Sequence, residues 1–194
     1  MRKRRDAMWG KTGTTGRGRR KNRNRQKKQI ERWNLRSEER RRSNMIAIGS
    51  DHGGYDLKQR VIQYLEEKGI QCQDMGCHSK ASCDYPVFGH AVAKAVAEGK
   101  CDKGIVICTT GIGISISANK VAGIRCALCS DTLSARMTRL HNDANVLAMG
   151  AGIVGENLAL DIVETFLETE FSGEERHRRR VELIEKTEVV EDGI

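Results

Sequence analysis

The sequence predicts an α/β protein built on a parallel sheet of five strands. Two observations predict it. From Met45 onward, short apolar runs alternate with amphipathic stretches of helical length, the pattern of repeated βαβ units. Glycines and one proline punctuate these stretches at the positions where helices begin and end.

The elements follow in order. "MIAIGS" (45–50) reads as a buried strand. Residues 55–69 read as a helix with Leu57, Val61, Tyr64 and Leu65 on one face and Gly69 as its stop. A second strand covers 70–75. A helix covers 86–99, with Pro86 near its start and Gly99 at its end. Strand three (104–109) leads to a helix over 112–121, and strand four (125–130) to a helix over 132–141. Strand five covers 145–150, and helices over 156–169 and 174–188 complete the chain. Parallel sheets of this kind bind ligands at the carboxyl ends of their strands, so site residues are expected just after the strands.

The first 44 residues differ from the rest. They hold 18 Lys and Arg against four acids (Asp6, Glu31, Glu38 and Glu39), whereas the remaining 150 hold 16 basic and 22 acidic residues. The formal net charge of +8 therefore describes an arm and not the globular part. With almost no apolar residues, the arm cannot bury enough surface to fold alone, although part of 26–42 could form a transient charged helix. It reads as a disordered extension, or as sequence upstream of a true start at Met45. A nucleic-acid-binding or targeting arm is the functional alternative. Residues 45–194 form the expected domain.

Seven cysteines occur (Cys72, Cys77, Cys83, Cys101, Cys108, Cys126 and Cys129). The odd count, with no signal peptide and no run of apolar residues long enough to span a membrane, points to free thiols in a reducing, cytoplasmic setting. "CALC" (126–129) has CxxC spacing but lies in a strand-like run with no second ligand pair, so no metal is expected there.

Several strand ends carry chemistry. "GSDHGG" (49–54) places Asp51 and His52 after strand one, where they read either as a cap with a chance histidine or as ligands for a sugar hydroxyl and a phosphate. "CDYP" (83–86) places Asp84 as a helix cap and Tyr85 beside a pocket or in a plain loop. "VICTTGIGIS" (106–115) ends strand three in Cys108, followed by a glycine loop and a helix. It lacks the GK[ST] of a Walker A loop. Its N–H groups point outward at a helix start, a nest for phosphate or a developing oxyanion. A thiol in such a field is favoured as thiolate; the alternative is a buried structural cysteine. "SDT" (130–132) reads as a cap. "HNDAN" (141–145) is polar beyond the needs of a connection, though helix-capping and turn residues would also explain it. "RHRRR" (176–180) puts Arg176 and Arg180 on one helical face, able to grip a phosphate or simply to meet solvent.

Together these stretches resemble one family. "IAIGSDHGGYDLK", "DYP", "GIVICTTGIGISISANK", "GIRCALCSD", "SARMTRLHNDANVLAMG" and "ERHRRRVELI" are similar to the ribose-5-phosphate isomerase B family, which includes galactose-6-phosphate and allose-6-phosphate isomerases. The resemblance covers about residues 45–187. It implies a three-layer αβα sandwich with a Rossmann-like sheet, no cofactor and no metal. It implies a homodimer, or a tetramer, with active sites shared between subunits. The implied reaction interconverts ribose 5-phosphate and ribulose 5-phosphate, with allose 6-phosphate or galactose 6-phosphate as alternative substrates. By the same resemblance Cys108 is the proton-transfer base. Thr110, with the amides of Gly111, Ile112, Gly113, Ile114 and Ser115, holds the enediolate, and His141 assists ring opening. Asp51 and Asn142 bind sugar oxygens, Tyr85 lines the pocket, and His52, Arg176 and Arg180 bind phosphate, with His177 near them. One departure is visible: the family pattern leads one to expect an arginine soon after "NVLAMG", where this chain has Gly152.

Overall fold

The computed structural model describes residues 45–186. The basic arm, with its candidate helix over 26–42, and the last residues of the 174–188 helix lie outside the described residues.

Five strands form one parallel sheet: β1 (Met45–Ser50), β2 (Gln71–Asp74), β3 (Lys103–Cys108), β4 (Cys126–Leu128) and β5 (Val146–Gly150), in the order β2-β1-β3-β5-β4. Six helices accompany them: α1 (Tyr55–Glu67), α2 (Tyr85–Ala97), α3 (Ile112–Ala118), α4 (Thr132–Asn142), α5 (Glu156–Glu168) and α6 (Glu175–Lys186). Alternation along each strand divides the core in two. Ile46, Ile48, Ile105, Ile107, Leu147 and Met149 pack on one side with Leu57, Val61 and Leu65 of α1 and Ile162, Val163 and Phe166 of α5. Ala47, Val106, Cys108, Val146 and Ala148 pack on the other with Val92 and Val96 of α2 and Ile114 and Ala118 of α3. The result is the expected three-layer sandwich, with both faces of the sheet covered.

The order of connection positions the site. From β1 the chain moves outward through α1 to β2, then returns through α2 on the opposite face to β3. The crossovers diverge between β1 and β3, and such a switch point leaves a crevice at the strands' carboxyl ends. The register brings Ser50 level with Ile107, and Cys108 level with Gly150.

Two local features refine the sequence expectations. The helix expected over 112–121 stops at Ala118 because the next residue is needed elsewhere: the Asn119 side chain donates to Cys126 O and accepts from Cys126 N, both at 2.8 Å. It thereby satisfies the backbone of edge strand β4, whose N–H and C=O groups would otherwise stand unpaired. The CxxC cysteines face opposite layers, Cys129 in one core and Cys126 against the other. Burial raises both thiols, Cys129 to about 11. All seven cysteines are free.

Lys58 is fully buried on α1. Its Nζ donates to Asp74 Oδ1 and Oδ2 at 2.6 and 2.7 Å and to Cys77 O at 2.7 Å. An ammonium with three acceptors has a partner for each proton, which is what its burial requires. Asp74 Oδ1 also accepts from Gly76 N at 2.9 Å. This network fixes the loop after β2 beneath the end of β1.

Candidate active site

The carboxyl ends of β1 and β3 bring one group of candidates together. After β1, Asp51 is buried and its Oδ1 accepts from Gly54 N at 3.0 Å, capping the single 3-10 turn His52–Gly54. The capping reading is thus realised at the mouth of the crevice. His52 is exposed, and its Nδ1 accepts from Cys83 N at 3.2 Å. That bond places the proton of the neutral ring on Nε2 and ties the turn to the loop ahead of α2. Asp84 occupies the N-cap position of α2 but its side chain makes no capping bond, so the expected cap is one of position only.

After β3, Cys108 is buried and its Sγ accepts from Gly111 N at 3.0 Å. Gly111 has φ +75°, the left-handed conformation that turns this N–H back toward the sulfur; a Cβ there would strike the backbone of Met149 and Gly150. Thr110 Oγ1 accepts from Ile112 N at 3.3 Å. The amides of Gly113 and Ile114 belong to the first turn of α3, which has no intrahelical acceptor for them. Ser115 departs from expectation. Its N–H donates to Gly111 O at 3.2 Å and its hydroxyl to Ile112 O at 2.7 Å, so the helix itself takes both donors and Ser115 drops out of the nest. The Ile114 side chain is core, leaving only its backbone facing the crevice.

Tyr85, at the first position of α2, closes this group. Its ring lies against Gly113 so closely that a Cβ on Gly113 would fall 2.5 Å from Tyr85 Cζ and 2.8 Å from its Oη. On the other side, Ala151 N and Gly152 N donate to Cys108 O and Thr109 O at 2.8 and 2.9 Å. Gly152 packs against the Cys108 loop, where a Cβ would fall 3.1 Å from Thr109 O.

The remaining candidates stand elsewhere. Helix α4 starts at the carboxyl end of β4 and runs to the amino end of β5, where Asn145 O accepts from Gly104 N at the start of β3. Eleven residues of helix put His141 and Asn142 about 16 Å from the level of Cys108 along the sheet. Arg176 and Arg180 lie on α6, which packs against this same end of α4; Arg176 pairs with Glu174 at 2.8 Å. One chain therefore does not unite His141, Asn142, Arg176 and Arg180 with Cys108.

The polar run 141–145 divides by role. Asp143 ends α4 at φ +46° and accepts from Arg139 at 2.8 Å and Arg125 at 3.3 Å. Asn145 bonds Arg125 N and Gly123 O, each at 2.8 Å. These two are structural, and they leave His141 and Asn142 exposed. His177 is buried at 3% exposure, with its ring centroid 4.4 Å from that of His141. Burial, then His141 and Arg176, with a smaller push from Arg180 against the pull of Glu174, hold its pKa below the ordinary histidine range. The unfolded chain regains a value of about 6.5. As pH falls through that value the unfolded state therefore binds more protons than the folded one, and stability declines. Melting temperatures measured between pH 8 and 5 are expected to fall in that window, and His177→Phe is expected to flatten the fall.

Arg139 and Lys58 escaped sequence reasoning. Each is buried on its helix, Lys58 beside Leu57, Val61 and Leu65, and the acceptors opposite them account for that burial.

Among the described residues no group of side chains is placed to hold a metal ion, and no helix is long and apolar enough to cross a membrane.

Comparison with known proteins gives the family. The profile of the family described as Ribose/Galactose Isomerase matches residues 46–184. The ribose-5-phosphate isomerase B of Escherichia coli is 49% identical over 139 residues, which cover 72% of this chain and 93% of that protein. The galactose-6-phosphate isomerase subunit LacB of Clostridium acetobutylicum is 43% identical over 127 residues, 66% of this chain and 73% of that protein. A solved structure of the Clostridium thermocellum ribose-5-phosphate isomerase B superposes with a TM-score of 0.73 at 56% identity, covering 74% of this chain and 97% of that one.

Proposed function

Because the chain belongs to the ribose/galactose isomerase family, we propose that it interconverts ribose 5-phosphate and ribulose 5-phosphate through an enediolate, with Cys108 as the base. It is a sugar-phosphate isomerase. The observation that carries the finer assignment is the Gly111 N–H held 3.0 Å from Cys108 Sγ at the head of a glycine loop.

The chemistry runs as follows. An acid at His141 protonates the ring oxygen O4 of the bound furanose, the C1–O4 bond breaks, O1 gives up its proton to solvent, and the chain opens to the aldehyde. Cys108 as thiolate removes the proton from C2, and the C–H electron pair forms the C1–C2 double bond while negative charge moves to O1. Thr110 and the unpaired amides of Gly113 and Ile114 in the first turn of α3 hold that charge. The thiol returns its proton to C1 while the O2 proton passes to O1, which leaves a C2 carbonyl and a C1 hydroxyl, the ketose. Asp51 and Asn142 hold sugar hydroxyls and Tyr85 walls the pocket. His52, Arg176 and Arg180 take the phosphate, whose binding energy orients the reacting carbons.

These roles need residues from both ends of the sheet, so the reading includes a homodimer in which the α4–α6 end of one subunit completes the Cys108 crevice of the other. Tyr85, Ile112, Ile116, Leu128 and Leu133, each at least 39% exposed, form the apolar rim that such a partner would cover. The domain spans 45–194 and works in the cytoplasm, with residues 1–44 dispensable.

Gly152 supports a second reading. It stands where the family pattern leads one to expect an arginine and brings no guanidinium to a phosphate, which leaves a longer sugar phosphate, allose 6-phosphate or galactose 6-phosphate, as the alternative substrate. Isomerisation of ribose, allose and galactose phosphates by the full chain and by a chain lacking residues 1–44, assayed side by side, decides between them. Ribose 5-phosphate is expected to be turned over fastest by both forms. A hexose phosphate turned over faster would establish the second reading. Activity lost on truncation would give the arm a role, with nucleic-acid binding the alternative to test.

A further inference from the structure

We infer that His177 is a positioning residue that holds the exposed His141 imidazole in the orientation needed for ring opening. The inference rests on the reading above that His141 is the ring-opening acid.

The geometry is specific. The His141 and His177 rings face each other at 4.4 Å with an interplanar angle of 39°. His177 is buried, and its Nδ1 lies 2.7 Å from Ser172 Oγ. Ser172 N in turn donates to Leu140 O at 3.1 Å, and Arg139 Nε to Thr169 O at 3.2 Å. The segment that fixes the His177 ring is thus bonded to the last turn of α4, the turn that carries His141. Beyond it, Arg139 and Arg125 pin Asp143. Everything around His141 is fixed, while its own ring is exposed.

An exposed imidazole at a helix end samples several rotamers, and ordering it costs free energy each time substrate binds. A ring-opening acid must meet one oxygen at hydrogen-bonding distance. A fixed aromatic face beside it removes part of that search in advance, and tilted rings at this separation attract. The neighbouring charged groups do not replace this contact: Arg176 is engaged by Glu174 on the exposed side of α6, and the lowered pKa of His177 keeps the supporting ring neutral at working pH.

The test uses a chemical asymmetry of the substrates. Ribose 5-phosphate is largely a closed furanose and must be opened. Ribulose 5-phosphate has its C5 oxygen esterified, cannot close a furanose ring, and enters as an open chain. The full-length protein is assayed for turnover of ribose 5-phosphate and for incorporation of solvent deuterium at C1 of ribulose 5-phosphate. His177→Ala is expected to lower kcat on ribose 5-phosphate by about tenfold or more. Its KM and its deuterium incorporation are expected to stay within about a factor of two of the unaltered protein. His177→Phe keeps the aromatic face and is expected to recover most of the loss, and Ser172→Ala to show a smaller version of it. Deuterium incorporation falling in step with kcat would mean general damage to the site and would overturn the inference, as would unchanged kcat in both His177→Ala and His177→Phe. His141→Ala serves as the separate control. If it shows no asymmetry between the two measurements, the ring-opening role of His141 itself fails, whatever the His177 variants do.

Discussion

Replacing Cys108 by alanine is expected to lower isomerase turnover about a thousandfold, the middle of the range that a positioned proton-transfer group contributes. Sugar-phosphate binding is expected to persist, because the groups proposed for the phosphate and hydroxyls are untouched. The fold should tolerate the change. Cys108 is buried at the end of β3, and removing one sulfur there costs about 1 kcal/mol for the small cavity left. Serine in its place is expected to lose nearly as much activity, since a hydroxyl without its own base is a far weaker proton acceptor than a thiolate. Burial raises the thiols of Cys72, Cys101, Cys126 and Cys129 above the ordinary value, which disfavours these four as substitutes. Steady-state turnover together with a titration calorimetry isotherm for the sugar phosphate separates the two effects. A Cys108→Ala protein with near-normal turnover would remove the residue from the base role and shift attention to the loop amides alone.

The second large effect concerns stability. Lys58→Met is expected to destabilise the domain by about 3 kcal/mol, because breaking a buried pair strands the partner's charge. Here the stranded groups are the Asp74 carboxylate, with 27% of its side chain exposed, and the Cys77 carbonyl. For a domain of this size the loss corresponds to a fall of roughly 10 °C in melting temperature. The damage should reach the site as well. Gly76 O accepts from Ser50 N and Ser50 O accepts from Cys77 N, both at 2.7 Å, and Ser50 leads directly into Asp51 and His52. A raised KM should therefore accompany the lost stability. Denaturant unfolding of the variant decides the matter. A change below about 1 kcal/mol would show that the Lys58–Asp74 attraction barely exceeds its own desolvation cost.

Much of this molecule can be read from its residues. β1 has the bounds that its apolar run suggests, and the Cys108 loop sits at a strand end where a parallel sheet puts its ligands. The misreadings have physical causes. The helix after the glycine loop is shorter than its pattern because the Asn119 side chain turns onto the backbone of Cys126 in the edge strand that follows. Ser115 looks like part of the nest, yet its donors close the first turn of α3. Lys58 falls on the buried face of its helix beside Val61 and Leu65, and nothing local announces the partner that permits a charge there, Asp74, sixteen residues away. The placement of His141 was open to deduction: it precedes a strand instead of following one, and in a parallel sheet that puts it at the other end. Motif resemblance gathers such residues into a single site without saying which subunit supplies each.

Helix α4 acts as a ruler between two half-sites. Under the shared-site reading each folded subunit alone is catalytically silent, and two broken chains can repair one another. Chains carrying Cys108→Ala and chains carrying His141→Ala, each deficient in ribose 5-phosphate turnover as homodimers, would on mixing and exchange of subunits form hybrids with one crevice intact and one doubly damaged. Recovered turnover, above that of either stock and rising with time of subunit exchange, would be the signature of complementation in trans.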